Sequence, residues 1–193
     1  MEYALKNQKK IQLEQGDITK QETHAIVNAA NSRLLGGGGV DGAIHRAAGP
    51  KLLEECKKLP EIRPGVRCEP GQAVITKGYN LKAPWVIHTV GPVYKDGKHG
   101  EPETLRQAYR SCLELASQKG LASLAFPSIS TGAYGYPLKD AASIALSTII
   151  DFLEESDESS LEVVKMVLFS NSDFQVYQDV LKELLRKKGY SPI

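Results

Sequence analysis

Short apolar runs alternate with amphipathic segments along the chain, and the two patterns predict different elements. The apolar runs predict buried strands at residues 25–27, 73–76, 85–90, 124–126 and 163–169. A weaker alternation at residues 10–14 predicts an edge strand. Apolar residues at helical spacing predict helices at 41–48, 51–58, 102–118, 138–153 and 174–187. Buried strands flanked by helices indicate an α/β fold whose sheet is covered on both faces.

Polar loops follow several of these strands and contain the residues that suggest chemistry. They span residues 16–19, 28–41, 128–136 and 169–174. Because ligands of such sheets bind beyond the carboxyl ends of the strands, we expect the four loops to converge on one cleft. An acidic, serine-rich stretch at residues 151–160 predicts a mobile connector.

Four consecutive glycines, 36–39, lie between a predicted strand and a helix predicted to begin at Asp41. Glycine lets backbone N–H groups come close to a ligand, and a helix N-terminus favours an anion such as phosphate. Gly37, Gly39 and Gly42 also match the G-x-G-x-x-G pattern of dinucleotide-binding folds. That alternative is weak, because residues 29–35 separate the glycines from their strand and the expected acidic residue about 20 positions later is missing.

Composition narrows the function classes without selecting one. The chain has 193 residues, 41% hydrophobic and 24% charged, with a net charge of +1, so no global field attracts nucleic acid or a membrane. Three cysteines without a Cys-x-x-Cys pair argue against a disulfide framework and a zinc ribbon. The sequence shows neither a signal peptide nor an apolar run of about 18 residues, so we expect a cytoplasmic monomer that does not contact membranes.

Four motifs carry a resemblance to a known family. GDIT at 16–19, NAAN at 28–31, GGGGVDGAIHRAAG at 36–49 and ISTGAYGYP at 129–137 resemble the macrodomain family, specifically its MacroD-type hydrolases. The resemblance covers about residues 11–188 of a single domain spanning 1–193. It implies a three-layer α/β/α sandwich around a mixed β-sheet. It also implies hydrolysis that removes mono-ADP-ribose from acidic side chains and deacetylates O-acetyl-ADP-ribose, with no metal or cofactor.

The resemblance implies catalytic roles for Asp41, Asn31 and His45. Asp41 would activate a water that a ligand phosphate also holds, and Asn31 would bind the distal ribose. In isolation, an Asp at this position is more often a helix N-cap, but its place directly after the glycine loop favours the catalytic role. His45 lies four residues after Asp41 on the same helix face, so it either orients Asp41 or only steadies the helix. His88, within an apolar strand, is expected in the core.

The remaining site residues follow from the same motifs. Asp17 and Ile18 would bind adenine, Tyr134 would pack on the distal ribose, and Phe169 would stack on the base with Asn171 beside it. The segment after Phe169, SNSDF, departs from the acidic segment common in the family. The two loops around the diphosphate and distal ribose would contribute Asn28, Gly37, Gly38, Gly39, Val40, Ser130, Thr131, Gly132 and Ala133.

Two other functions remain open at this point. A non-catalytic module that reads ADP-ribose would use the same loops but would not need Asn31 and Asp41. A nicotinamide enzyme would use the glycine pattern and bind NAD tightly. ADP-ribosylated proteins are the expected partners of the hydrolase, and ADP-ribosylated nucleic acid is a further acceptor that the sequence allows.

Overall fold

A computed structural model describes residues 1–191 and contains one mixed seven-stranded sheet. Its strands are β1 (Glu2–Ala4), β2 (Lys10–Gln15), β3 (Ala25–Ala29), β4 (Ala73–Lys77), β5 (Trp85–Thr89), β6 (Ser123–Phe126) and β7 (Val163–Leu168). They lie in the order β1-β2-β7-β6-β3-β5-β4. The two outermost strands, β1 and β4, run antiparallel to their neighbours, and the five between them are parallel.

Five α-helices cover the two faces of this sheet. They are α1 (Gly39–Ala48), α2 (Pro50–Lys58), α3 (Glu101–Gln118), α4 (Leu138–Glu155) and α5 (Asn171–Lys187). One face packs against α3, α4 and α5, and the other against α1, α2 and a 3₁₀ turn at Ile18–Lys20. The predicted three-layer α/β/α sandwich with a central mixed sheet is therefore confirmed.

Two apolar cores, one on each face, explain why the central strands are mostly apolar. Along β3, Ala25 and Val27 join the core beneath α3–α5, whereas Ile26 joins the core beneath α1 and α2. Successive side chains of a strand point to opposite faces, so a strand buried on both sides has no polar face. By the same alternation, Asn28 points with Ile26 towards α1.

Several predicted boundaries differ from the structure. The strand predicted at the sheet edge is β2, which lies inside the sheet because β1, an unpredicted strand, pairs with it. Helix α4 continues to Glu155, so the first half of the predicted connector at 151–160 is helical. Helix α1 begins two residues before Asp41, and α5 begins at Asn171 rather than at 174.

The parallel strands place the predicted loops together. The carboxyl ends of β2, β7, β6 and β3 lie at the same edge, and each is followed by one of the four polar loops. Strand direction thus places all four loops at one edge of the sheet. Within residues 1–191, no helix combines the length and apolarity needed to cross a membrane.

Candidate active site

A cavity of about 290 Å³ opens at the carboxyl ends of β3 and β6. Its wall includes ten of the predicted site residues, namely Asn31, Gly37, Gly38, Gly39, Val40, Asp41, Ser130, Gly132, Ala133 and Tyr134. The structure therefore joins two motifs that lie about 90 residues apart in sequence into one surface, as expected at the strand ends of an α/β sheet.

Asp41 lies in the first turn of α1 and is 5% exposed. Its Oδ1 accepts a hydrogen bond from Asn28 Nδ2 at 2.8 Å and lies 3.4 Å from His45 Nε2. The N-cap of α1 is Gly38, so the alternative that Asp41 caps this helix is wrong. The side chain is instead held by two neighbours on one oxygen, which leaves Oδ2 available to a ligand.

The second carboxylate oxygen of Asp41 faces the glycine loop. A Cβ built on Gly37 would lie 3.1 Å from Asp41 Oδ2 and 3.3 Å from Asn31 Nδ2, so these two polar atoms converge beside Gly37. Asn31 is itself fixed, because its Nδ2 donates to Gly36 O at 3.1 Å and its Oδ1 accepts from Arg33 N at 3.2 Å. A carboxylate oxygen and an amide donor are therefore preorganised at one point of the cavity.

Asn28 lies beneath the cavity rather than on its wall. Its side chain is fully buried, and Nδ2 is bonded to Asp41 and 3.1 Å from His88 Nδ1. The expectation that Asn28 contacts the ligand does not fit this geometry, because α1 covers its side chain. The alternation of side chains along the strand could have predicted this burial, because Asn28 lies two residues after Ile26 and points to the same covered face.

The N-terminus of α1 presents free backbone donors to the cavity. The first intrahelical bond runs from Gly42 N to Gly38 O, and no side chain caps the helix. The earlier N–H groups of the helix thus lack intrahelical acceptors and favour an anion. Added Cβ atoms at Gly38 and Gly39 would meet nothing within 4 Å, so the backbone there is open to a ligand.

The opposite wall of the cavity is the loop of residues 128–136, here called the second loop. Ser130 has φ 68° and is buried, and Gly132 faces open space. The Thr131 hydroxyl donates to Ser128 Oγ at 2.9 Å, and Thr131, a predicted site residue, is not among the residues that line the cavity. Tyr134 is tied to the neighbouring loop, because its carbonyl accepts from Tyr94 N at 2.8 Å.

Two buried tyrosines, one in α3 and one in α5, hold the second loop. Tyr109 Oη accepts from Ile129 N at 3.0 Å, and Tyr177 Oη lies 2.6 Å from Ser128 Oγ. Burial raises the pKa of Tyr177 to about 12, so its hydroxyl stays protonated and able to donate. Both tyrosines lie within predicted helices, and helical periodicity gives no signal of such polar contacts.

A separate group of predicted residues lies at the ends of β2 and β7. The strands pair in register up to Gln15 and Leu168, which brings Asp17 close to Phe169. Asp17 Oδ1 accepts from Thr19 N and Oγ1, and the hydroxyl bond lowers the pKa of this carboxyl below its ordinary value. Phe169 is 83% exposed, so it has no role in the core. Ile18 is buried beside Asp17, and Asn171 is exposed at the start of α5.

Asp96, His99 and Glu101 bring possible metal-ligand atoms within 4.8 Å of one another, outside the residues that line the cavity. Both Glu101 oxygens already accept backbone N–H groups, three on Oε2 and one, from His99, on Oε1. Glu101 thus fixes the loop before α3, which explains its burial without a metal.

Comparison with known proteins places these motifs in a family. The family model described as Macro domain matches residues 27–145, which include Asp41 and both walls of the cavity. The chain belongs to the macrodomain family.

Similar macrodomains match this one over nearly its whole length. A macro domain-containing protein of Xanthomonas campestris is 53% identical over 172 residues, covering 89% of this chain and 95% of the relative. The O-acetyl-ADP-ribose deacetylase 1 of Pantoea vagans is 50% identical over 173 residues, covering 90% and 99%. The Oceanobacillus iheyensis macrodomain with ADP has a TM-score of 0.90 at 47% identity, with 97% of each chain covered. The resemblance to MacroD-type macrodomains is confirmed.

Proposed function

We propose that this macrodomain binds ADP-ribose and hydrolyses acyl esters of it. Its substrates would be proteins mono-ADP-ribosylated on acidic side chains and O-acetyl-ADP-ribose, which share an ester between an acyl group and a ribose hydroxyl. The name of the Pantoea relative and the ADP in the Oceanobacillus structure support an ADP-ribose-type ligand. ADP-ribosylated nucleic acid stays a prediction as a further acceptor.

The cavity, together with Asp17 and Phe169 at the ends of β2 and β7, offers groups for the three parts of ADP-ribose. Adenine would stack on the exposed ring of Phe169, with its amino group donating to the ionised Asp17. The diphosphate would lie between the N-terminus of α1, whose first N–H groups lack intrahelical acceptors, and the second loop. The space beside Gly38 and Gly132 is open. The distal ribose would then reach Asn31 and Tyr134.

The reaction needs a water, a base and an oriented ester. Asp41 Oδ2 would accept the proton of a water that a ligand phosphate oxygen also holds. The water adds at the acyl–ribose linkage, the ester bond breaks, and the products are the free acid and ADP-ribose. Asn31 would hold the ribose by its amide, which both donates and accepts. The chain's part in catalysis is thus mainly positioning.

The observation that carries this proposal is the convergence of Asp41 Oδ2 and Asn31 Nδ2 beside Gly37. A reader module gains nothing from a nearly buried carboxylate fixed by a buried amide, because burying a charge costs free energy. The same pair gives a hydrolase its base and its ribose ligand. The hydrolase is therefore favoured over the reader.

The Asp41→Asn substitution tests the proposal, because it removes the base and keeps the shape. We expect kcat for O-acetyl-ADP-ribose to fall by about 10²-fold or more. The Kd for ADP-ribose, measured by calorimetry, should change by less than about tenfold, or ~1.4 kcal/mol. Asp179→Asn, an exposed residue of α5, is the matched control and should match wild type. Equal losses of binding and turnover in Asp41→Asn would contradict the catalytic role.

A further inference from the structure

Three buried polar side chains extend from Asp41 into the interior, on adjacent strands. Asn28 of β3 pairs with His88 of β5, and Thr76 of β4 pairs with Val86, two residues before His88. All three side chains lie on the sheet face that packs under α1 and α2, and none is more than 1% exposed. Buried polar groups are costly in such a core unless they are hydrogen-bonded, so the group calls for an explanation.

The hydrogen bonds between these side chains have one consistent direction. Asn28 Nδ2 supplies one proton to Asp41 Oδ1 and lies 3.1 Å from His88 Nδ1. Because an amide nitrogen only donates, His88 Nδ1 must be the acceptor and Nε2 must carry the proton. His88 Nε2 then donates to Thr76 Oγ1 at 2.9 Å, and Thr76 Oγ1 donates to Lys77 O at 3.3 Å.

The reversed arrangement is unfavourable. If the Asn28 amide were flipped, its oxygen would face Asp41 Oδ1 at the 2.8 Å now spanned by a hydrogen bond, and two acceptors would repel. In the observed orientation, Asn28 Oδ1 is buried and has no hydrogen-bond partner among residues 1–191. The two Nδ2 hydrogen bonds offset the cost of that unpaired oxygen, so the acceptors on Asp41 and His88 together fix which way the amide points.

We propose that His88 and Thr76 are positioning residues, which fix Asp41 through Asn28 so that its Oδ2 points at the bound ester. Thr76 holds the proton of His88 on Nε2, and His88 Nδ1 holds the Asn28 amide. The inference rests on the proposed function, since it assigns these residues to the turnover of that site. Burial, with a smaller contribution from the charge of His45, lowers the pKa of His88 to about 3, which keeps the imidazole neutral as the chain of bonds requires.

The test compares His88→Asn with His88→Leu. The two replacements have nearly the same shape and remove the same ring atoms, but only asparagine retains an acceptor where Nδ1 was. We expect the leucine variant to have a kcat for O-acetyl-ADP-ribose at least about tenfold below that of the asparagine variant. The Kd of both for ADP-ribose should stay within about threefold of wild type. If His88 only filled space in the core, the leucine variant should have the higher kcat of the two, because leucine suits an apolar core better.

A second pair, Thr76→Val and Thr76→Ser, decides the matter if the His88 variants do not fold. Valine keeps the shape and loses the hydroxyl, so kcat should fall by about threefold or more while Kd stays constant, and serine should restore it. Equal kcat within each pair, with wild-type turnover intact, would overturn the positioning role. If wild-type protein binds ADP-ribose but releases no acetate, the proposed function itself fails.

Discussion

Replacing Gly42 with alanine perturbs the candidate site at a residue that does not itself line the cavity. Gly42 is buried in the first turn of α1, where the helix passes under the glycine loop. A Cβ on Gly42 would lie 2.6 Å from Gly37 O, about 0.8 Å closer than ordinary van der Waals contact allows. The obstacle is backbone, so the loop or the helix has to move.

Two opposing effects set the stability of this variant. Alanine is better than glycine in a helix by about 1 kcal/mol, whereas overpacking costs about 1–3 kcal/mol, so we expect a net loss of at most about 2 kcal/mol. The effect of this substitution on turnover should be larger than its effect on stability. The glycine loop that has to move contains Gly37, beside which Asp41 and Asn31 converge. A shift of about 1 Å can cost about 10²-fold in rate. We expect kcat to fall by about 10- to 100-fold.

The assay is acetate release from saturating O-acetyl-ADP-ribose, with the free energy of unfolding measured in urea. Gly120→Ala is the control, because Gly120 follows the end of α3 with φ 74° and nothing within 4 Å of an added Cβ. It should lose about 1–2 kcal/mol of stability through backbone strain yet keep wild-type kcat. If Gly42→Ala also keeps wild-type kcat, the close approach of α1 to the loop does not set the site geometry.

Three further predictions concern separate parts of the molecule. Phe169→Ala should weaken ADP-ribose binding by about 1–3 kcal/mol in calorimetry, and an unchanged Kd would contradict stacking on adenine. Tyr177→Phe removes the hydroxyl that holds Ser128, so Kd should rise by about three- to tenfold with kcat at saturation kept; a fall in kcat alone would be inconsistent. Burial lowers the pKa of His88 from 6.5 to about 3, so between these pH values His88 is protonated in the unfolded chain and neutral in the folded protein. The unfolding free energy of wild type should therefore fall relative to His88→Asn by up to roughly 1 kcal/mol per pH unit on acidification, whereas parallel curves would show that His88 does not titrate this way.

Local sequence patterns were enough to predict where the site lies in the fold and what kind of ligand it suits. The glycine run before a helix, and the polar loops after apolar strands, already indicated a phosphate-bearing ligand at the strand ends. The parallel direction of β3 and β6 then brings Asp41 and the second loop together, as the α/β pattern implied. The fold class followed from the same alternation of apolar strands and amphipathic helices.

Contacts between distant segments could not be predicted in this way. The pairing of Asn28 with His88 depends on strand order, and the contact of Tyr177 with Ser128 depends on how α5 packs on the sheet. Strand β1 was missed because three residues, two exposed and one half-buried, are too few to show a period, and the strand forms by pairing with β2. The start of α1 at Gly39 was missed because glycine is a poor helix former.

The central claim, that this macrodomain hydrolyses acyl esters of ADP-ribose, has one direct test. Wild-type protein is incubated with an acceptor mono-ADP-ribosylated on glutamate, in excess EDTA, and the release of ADP-ribose is measured. The account predicts release, carried by Asp41 and the substrate phosphate without a divalent metal. No release, from a sample shown by calorimetry to bind ADP-ribose, would contradict it and would leave a module that reads ADP-ribose without cleaving it.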